Sequence, residues 1–334
     1  MVSEVHAPGT ELGSRWAIAL IVLGAVQAIP AQSSLPRLER VTIPALESIG
    51  PERAGASVAV SASGIMAFTG GFDQQNRVVT VVDNTGRLLA RVGPPGNGPG
   101  ELTIPVQLAF AGRELVTLEL GARRLSRFSL DGALQASAVA AAPIMLAAPS
   151  GDSIEVFQWP TSGAGQVLDF RRISPRTQEG RMLLSGQSSS LRKLASEGRQ
   201  QGMAVAGVLY VSAGSAVIAA NVSTNRLLGI GAGEKILFEH RGRQEDAPPG
   251  ETTLSAVGGL QVDGKERIWA IGPSQRTGRT AAEVYSGPRV LGRIDLPCRG
   301  SVALAGSWLA ILCDTPESAS HDVSLQLYRI VDEP

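Results

Sequence analysis

Short apolar runs separated by small-residue turns recur along this chain, and the runs alternate rather than following a helical period. In residues 114–120, Val116, Leu118 and Leu120 alternate with Thr117 and Glu119, the two-residue period of a strand. One unit, a strand, a small-residue turn and a second strand, is repeated six times. The copies are Ser57-VAVSASGIMAFTG, Pro105-VQLAFAGRELVTLEL, Pro143-IMLAAPSGDSIEVFQW, Val208-LYVSAGSAVIAAN, Gly259-LQVDGKERIWAIG and Ser301-VALAGSWLAILCD. Their starts lie 48, 38, 65, 51 and 42 residues apart, a mean near 49. Most copies are followed by two further apolar runs. In the first these are Arg77-VVTVVD and Arg87-LLARVG around Asn84-Thr85-Gly86; in the second, Arg124-LSRFSL and Ala133-LQASAV around Asp131-Gly132. Four strands every 40 to 50 residues, six times over, predict an all-β six-bladed β-propeller of four-stranded antiparallel blades.

The last unit ends after its third strand, Val323-SLQLYRIV, while Arg37-LERVTIPAL near the start has no blade of its own. We expect this N-terminal strand to supply the missing outer strand of the final blade, so that the ring closes without an open edge. Residues 186–203 are expected to form one short helical turn in a long loop.

Ahead of the repeats, Arg15 precedes the apolar stretch of residues 16–29, then Pro30-Ala31-Gln32. A basic residue, an apolar segment of this length and small residues after it predict a secretory signal peptide over 1–31, cleaved after Ala28 or Ala31, with the propeller over 32–334. Gln27 and Pro30 leave the stretch short of the roughly 20 residues a membrane span needs. No cysteine follows it, so a lipid anchor is not indicated. The leader before Arg15 carries Glu4 and Glu11, which is unusual for such a segment. Export, periplasmic or secreted, makes the two cysteines legible. A hairpin turning at Ala305-Gly306 puts Cys298 opposite Cys313, within reach of a disulfide.

Thirty basic residues balance thirty acidic ones without a block of one sign, which disfavours nucleic-acid and polybasic membrane partners. Apolar residues make up 43% of the chain, enough for a sizeable core. No cofactor or resident metal is expected, and the protein should be a monomer. At only 4% aromatic residues, a sugar-stacking platform is not expected either; Trp269 and Trp308, on the second strands of two blades, read as repeated core packing.

The stretch Gly93-Pro-Pro-Gly-Asn-Gly-Pro-Gly-Glu-Leu-Thr-Ile-Pro105 lacks the Lys-Ser/Thr of a phosphate loop and opens no helix, so it reads as an inter-blade turn. It resembles the inter-blade signature of six-bladed propellers of the NHL-repeat type. Residues 242–251, leading into Gly258-Gly-Leu-Gln-Val-Asp-Gly264, are a weaker echo. The resemblance spans about residues 37 to 333 and implies a fold shared by extracytoplasmic binding proteins, interaction platforms and a few hydrolases or lyases. Fold of this kind does not transfer function.

Catalytic constellations are sparse. Beyond the leader there are two histidines, His240 and His321, in different blades, so a three-histidine zinc site is excluded. A lactonase-like hydrolase would bring an acid–amide set into the channel; Asp83, Glu155 and Asn221 have the right chemistry but lie in separate units, where turn and blade-surface roles are expected. Asp152-Ser153 reads as a tight turn rather than a nucleophile elbow. Binding through one face is easier to motivate. In a propeller the loops from outer to next inner strand and from second to third strand gather at one channel mouth. They hold Asp73, Glu101, Arg123, Arg124, Trp159, Arg192, Arg199, Arg243 and Glu251, a set suited to a small polar ligand or a protein partner. A channel lined by Val, Ala and Gly would favour non-catalytic binding. Three carboxylate or amide groups within about 4 Å of one point would favour the metal-dependent hydrolase.

Overall fold

The structure, a computed structural model, describes residues 34–43, 57–69, 79–103, 107–119, 123–158, 168–177, 179–199, 208–222, 224, 226–240, 258–274, 277–314 and 323–332. The expected signal peptide, Asp73, Trp159, Arg243, Glu251 and His321 lie outside them.

Six four-stranded antiparallel sheets stand in a ring. Blade 1 is β2 (Val58–Val60), β3 (Met66–Thr69), β4 (Val79–Val82) and β5 (Leu88–Val92); blade 2 is β6 (Gln107–Ala111), β7 (Glu114–Glu119), β8 (Arg124–Phe128) and β9 (Leu134–Val139). Blade 3 holds β10 (Ile144–Ser150), β11 (Ser153–Gln158), β12 (Asp169–Ile173) and β13 (Gly180–Leu184). Blade 4 holds β14 (Val208–Ala213), β15 (Ala216–Asn221), β16 (Leu227–Ile230) and β17 (Ile236–His240). Blade 5 is β18 (Gly259–Val262), β19 (Ile268–Pro273), β20 (Thr280–Ser286) and β21 (Arg289–Asp295). Blade 6 takes β22 (Arg299–Ala305), β23 (Trp308–Asp314) and β24 (Val323–Val331) from the end of the chain and β1 (Arg37–Val41) from its start. The inner strand of each blade touches that of the next, and β22 touches β2, so the ring closes.

Why these segments form blades follows from where their apolar side chains go. Successive residues of a strand point to opposite faces, and the second and third strands of each blade carry buried apolar side chains toward both neighbours. One face of blade 2 packs Leu115 and Phe128 with Val81 and Val92 of blade 1. Its other face packs Val116, Leu118 and Leu125 with Ile154 and Val156 of blade 3. Trp269 lies fully buried against blade 6, and Trp308 packs onto Val58, Val60 and Met66 of blade 1, so both tryptophans fill blade-to-blade joints as expected. The closing strand β1 pairs with β24 without interruption from Arg37↔Val331 to Val41↔Leu327, as the strand count predicts.

The outer edges are treated differently. In blades 1 to 5 the ladder between third and fourth strands slips by one residue, at Leu89, Gln135, Leu183, Leu237 and Leu291. Such bulges increase twist and blunt an exposed edge against pairing with another chain. Strand β1 has no slip.

Two expectations are corrected. The helix is longer than one turn: α1 runs over Ser189–Arg199. Leu191, Leu194 and Ala195 on one side of it are buried with Phe170 and Tyr210, and this packing on blades 3 and 4 stabilises a helix that a loop-like composition would not. It also accounts for the longest interval between repeats. The final hairpin turns at Gly306-Ser307, one residue later than expected, with Ala305↔Trp308 paired. The first central position of this two-residue turn has φ +60°, which glycine adopts without cost and Ala305 would not. Cys313 therefore stands opposite Gly300, and Cys298 bridges to it diagonally. The disulfide forms all the same, with Cα atoms 5.6 Å apart.

Replacing both cysteines by Ala removes a cross-link between residues 15 apart in sequence, which the loop-closure argument values at about 3 kcal/mol. The urea midpoint of the double variant should fall accordingly; an unchanged midpoint would show the bridge to be stabilising nothing. The β4–β5 turn carries a pH dependence. Burial pushes the Asp83 carboxyl up, but hydrogen bonds from Thr85 and Arg87 outweigh it and hold the group at about 2. Since the folded value is depressed, the turn's contribution is complete above the ordinary value of 3.8 and is lost as pH falls through about 2. A carboxyl titration followed by NMR should give a midpoint near 2 for Asp83.

Candidate functional site

The six inner strands enclose a central channel of about 440 Å³. Its described wall is mostly Val, Ala, Leu and Gly, with Ser57, Ser61, Ser212, Gln107 and Gln261 as the uncharged polar groups. No acidic, basic or histidine side chain is among those lining residues. The hairpin turns form the rim at one end: the Gly112 N–H of blade 2 donates to the Gly151 carbonyl of blade 3, and the Gly264 N–H of blade 5 donates to the Gly306 carbonyl of blade 6, both at 2.7 Å.

The two glutamines come from blades 2 and 5, across the ring from each other. Gln107 Oε1 accepts the Leu146 N–H of β10 at 2.6 Å, and Gln261 Nε2 donates to the Val302 carbonyl of β22 at 2.9 Å. Each amide thus ties its own inner strand to the next with one end. The other end, a donor on Gln107 and an acceptor on Gln261, has no side-chain or backbone partner among the described residues, and both residues line the channel. They were not singled out in the sequence, although both occupy the third position of their repeat copies, Pro105-Val-Gln107 and Gly259-Leu-Gln261.

At the other mouth, the inter-blade turn that was expected from the glycines is present. Gly93 has φ +72°, and a Cβ there would meet the fully buried Leu102 at 2.2 Å. Arg124 holds this loop. Its Nη1 donates to the Asn97 carbonyl at 2.8 Å, its Nη2 to the Glu101 carbonyl at 2.7 Å, and its Nε to Glu119 Oε1 at 2.7 Å. Glu119, 1% exposed, accepts in addition from the Thr103 N–H and hydroxyl at 3.0 and 2.7 Å. The Glu101 carboxylate turns back to the Gly98 N–H at 2.7 Å. The structure therefore brings Glu101 and Arg124 together, as parts of a loop clamp whose Arg124 nitrogens are all engaged within the chain.

The other expected site residues are spread. Arg123, in the turn just ahead of β8, is exposed with φ +52°, and its guanidinium has no partner among the described residues. Arg192 lies on α1, its Nε donating to the Gln187 carbonyl at 2.9 Å, and Arg199 ends that helix. Asp83, Glu155 and Asn221 are not brought together. Asp83 caps its turn, Glu155 pairs with Arg172 at 2.7 Å, and Asn221 Nδ2 donates to the Leu194 carbonyl of α1 at 2.6 Å. Asp152 sits in the expected β10–β11 turn. Among the described residues no three His, Cys, Asp or Glu side chains cluster as a cation site, and no helix is long and apolar enough to cross a membrane.

No protein-family model matches the sequence, and comparison with curated proteins returns no match. Among solved structures, the chain is similar to a member of the DUF4221 family from Bacteroides vulgatus, with 10% identity, a TM-score of 0.51, and 90% of this chain and 100% of that one covered. The likeness is one of fold. A calcium-binding regucalcin from Agrobacterium tumefaciens (11% identity, TM-score 0.48, 91% and 98% covered) and virginiamycin B lyase from Staphylococcus aureus (11%, 0.46, 89% and 99%) are fainter matches. Such distances carry no residue roles across.

The clamp generates a stability prediction. Arg124→Met strands the buried Glu119 charge, a change that typically costs about 3–5 kcal/mol. The double variant Arg124→Met/Glu119→Gln should recover part of that loss in a denaturant titration. Both should be cut by proteases within residues 93–103 faster than the parent.

Proposed function

We propose that this protein is an exported, non-catalytic propeller that takes up a small polar ligand, or a segment of a protein partner, at the mouth of its central channel. The observation that carries this reading is the channel wall, whose described residues are small, apolar or uncharged. General acid–base and metal-assisted hydrolysis draw on carboxylates, histidines or similar groups at the reacting centre. An apolar cavity with a few fixed polar groups is instead the ordinary composition of a binding site. Here those groups are the free amide ends of Gln107 and Gln261 and the hydroxyl of Ser212. They suit a neutral ligand carrying its own donor and acceptor. At the mouth, Arg123 offers an unengaged guanidinium, and Glu101 and Arg124 shape the loop beside it. Asp73, Trp159, Arg243 and Glu251, outside the described residues, are proposed for the same ligand from the sequence alone.

In this reading residues 1–31 direct export and are removed, and the mature monomer works in the periplasm or outside the cell. The Cys298–Cys313 disulfide supports that, since such bridges persist in oxidising compartments.

Melting of the secreted protein with calcium, zinc and a panel of neutral polyols, small sugars and amides tests the proposal. We expect stabilisation by a neutral compound and not by the metals, with the shift abolished in Ala148→Phe, which adds a ring to the channel wall. A large calcium shift with metal retained on elemental analysis would overturn it in favour of the lactonase-like hydrolase.

A further inference from the structure

A second cavity lies between blades 3 and 4. Three adjacent strands of blade 3 carry charges in one row: Glu155 in β11 stands opposite Arg172 in β12, which stands opposite Arg181 in β13. Side chains directly opposite across antiparallel strands share a face, with Cβ atoms ~4.5–5.5 Å apart, and like charges so placed repel. Glu155 is buried and fully engaged. Its Oε1 accepts from Arg172 Nε and Nη2 at 3.2 and 2.7 Å, and its Oε2 accepts the Ser212 N–H of β14 at 3.1 Å, so the row faces blade 4. One negative charge thus answers two positive ones.

The surplus resides at Arg181. Its side chain is exposed and makes no hydrogen bond or ion pair among the described residues, and Arg172 Nη1 is likewise unused. Neighbouring charges do not relieve it. Arg171 bonds Gln158 on the opposite face, Glu179 makes no ion pair with Arg181, and Glu234 accepts from the Ser188 hydroxyl. Both row arginines line a cavity of about 200 Å³, with Leu183 of the same blade and Val217, Ile230 and Ser215 of blade 4 among its other lining residues.

We propose that this groove binds a small organic carboxylate bearing a short alkyl chain. The carboxylate would meet Arg181 and the free edge of Arg172, whose planar forks match it in a way a lysine ammonium does not. The chain would lie along Leu183, Val217 and Ile230. A net surplus of one positive charge matches a monoanion better than a phosphate dianion. The cavity, at about 200 Å³, is smaller than the ~300 Å³ at which pockets for drug-sized ligands begin. This site shares only Ser212 with the channel and stands whether or not the channel reading does.

Isothermal titration of the intact mature protein with hexanoate, hexan-1-ol and inorganic phosphate tests it. Hexanoate should bind, more weakly at high salt, while hexan-1-ol gives no signal and phosphate binds less well. Arg181→Gln should weaken hexanoate roughly tenfold or more, the loss of a charge-assisted pair, and Arg181→Lys should fall between. Because Arg181 is exposed and unpartnered, the variants should melt like the parent, so a lost signal cannot be ascribed to unfolding. Absence of hexanoate binding to the parent, equal binding by Arg181→Gln, equal binding of hexan-1-ol, or tighter binding of phosphate would each overturn the proposal.

Discussion

Every blade of this protein buries apolar side chains toward both neighbours, and a sheet with two such faces is stable only between two others. That constraint makes the ring obligatory. Six sheets hide twelve faces solely when the sixth meets the first, which the contact of β22 with β2 achieves. The pairing of β1 with β24 then holds the junction by backbone hydrogen bonds rather than by side-chain burial alone. The side-chain rows are consequences of this geometry: a polar residue caught at a blade joint must find its partner on the neighbour or in its own sheet.

The joints show how that is met. Glu155 reaches the Ser212 N–H of the next blade, Gln107 the Leu146 N–H, Gln261 the Val302 carbonyl, and Glu119 the loop that enters its own blade. In blade 5 the buried Asp263 accepts from Arg267 Nε at 2.6 Å and Trp269 Nε1 at 3.1 Å, and Arg267 in turn pairs with Asp332 beyond the last strand. Buried polar groups of this kind are costly when incomplete, so they set which blade sits beside which as well as how firmly. The unpaired amide ends in the channel and the unpaired Arg181 in the groove are where that bookkeeping is left open.

Much of the architecture was legible in the sequence because strand period, turn glycines and repeat interval all pointed to one fold. The closure was legible too, from a strand short at one end and a strand spare at the other. The hairpin register was not. Ala305-Gly306 and Gly306-Ser307 are equally plausible as letters, and only the positive φ at the first turn position separates them. Helix α1 was underestimated because its stability comes from Phe170 and Tyr210, residues of two strands remote in sequence. Site residues were the least legible. Arg124 and Glu101 look like free loop charges until the carbonyls of residues 97 and 101 are placed beside the guanidinium. Gln107 and Gln261 look like ordinary strand polar residues until the inner strands are set around a common axis.

The pairing of Arg37 with Val331 has a temporal meaning. A ribosome releases residues 37–41 well before residues 323–331, the two halves of that ladder. The sixth blade must therefore wait until blades 1 to 5 have emerged, and those blades meanwhile carry an uncovered apolar face. Contacts so distant along the chain form slowly, which gives the blunted rims of blades 1 to 5 a use before the ring is complete as well as after.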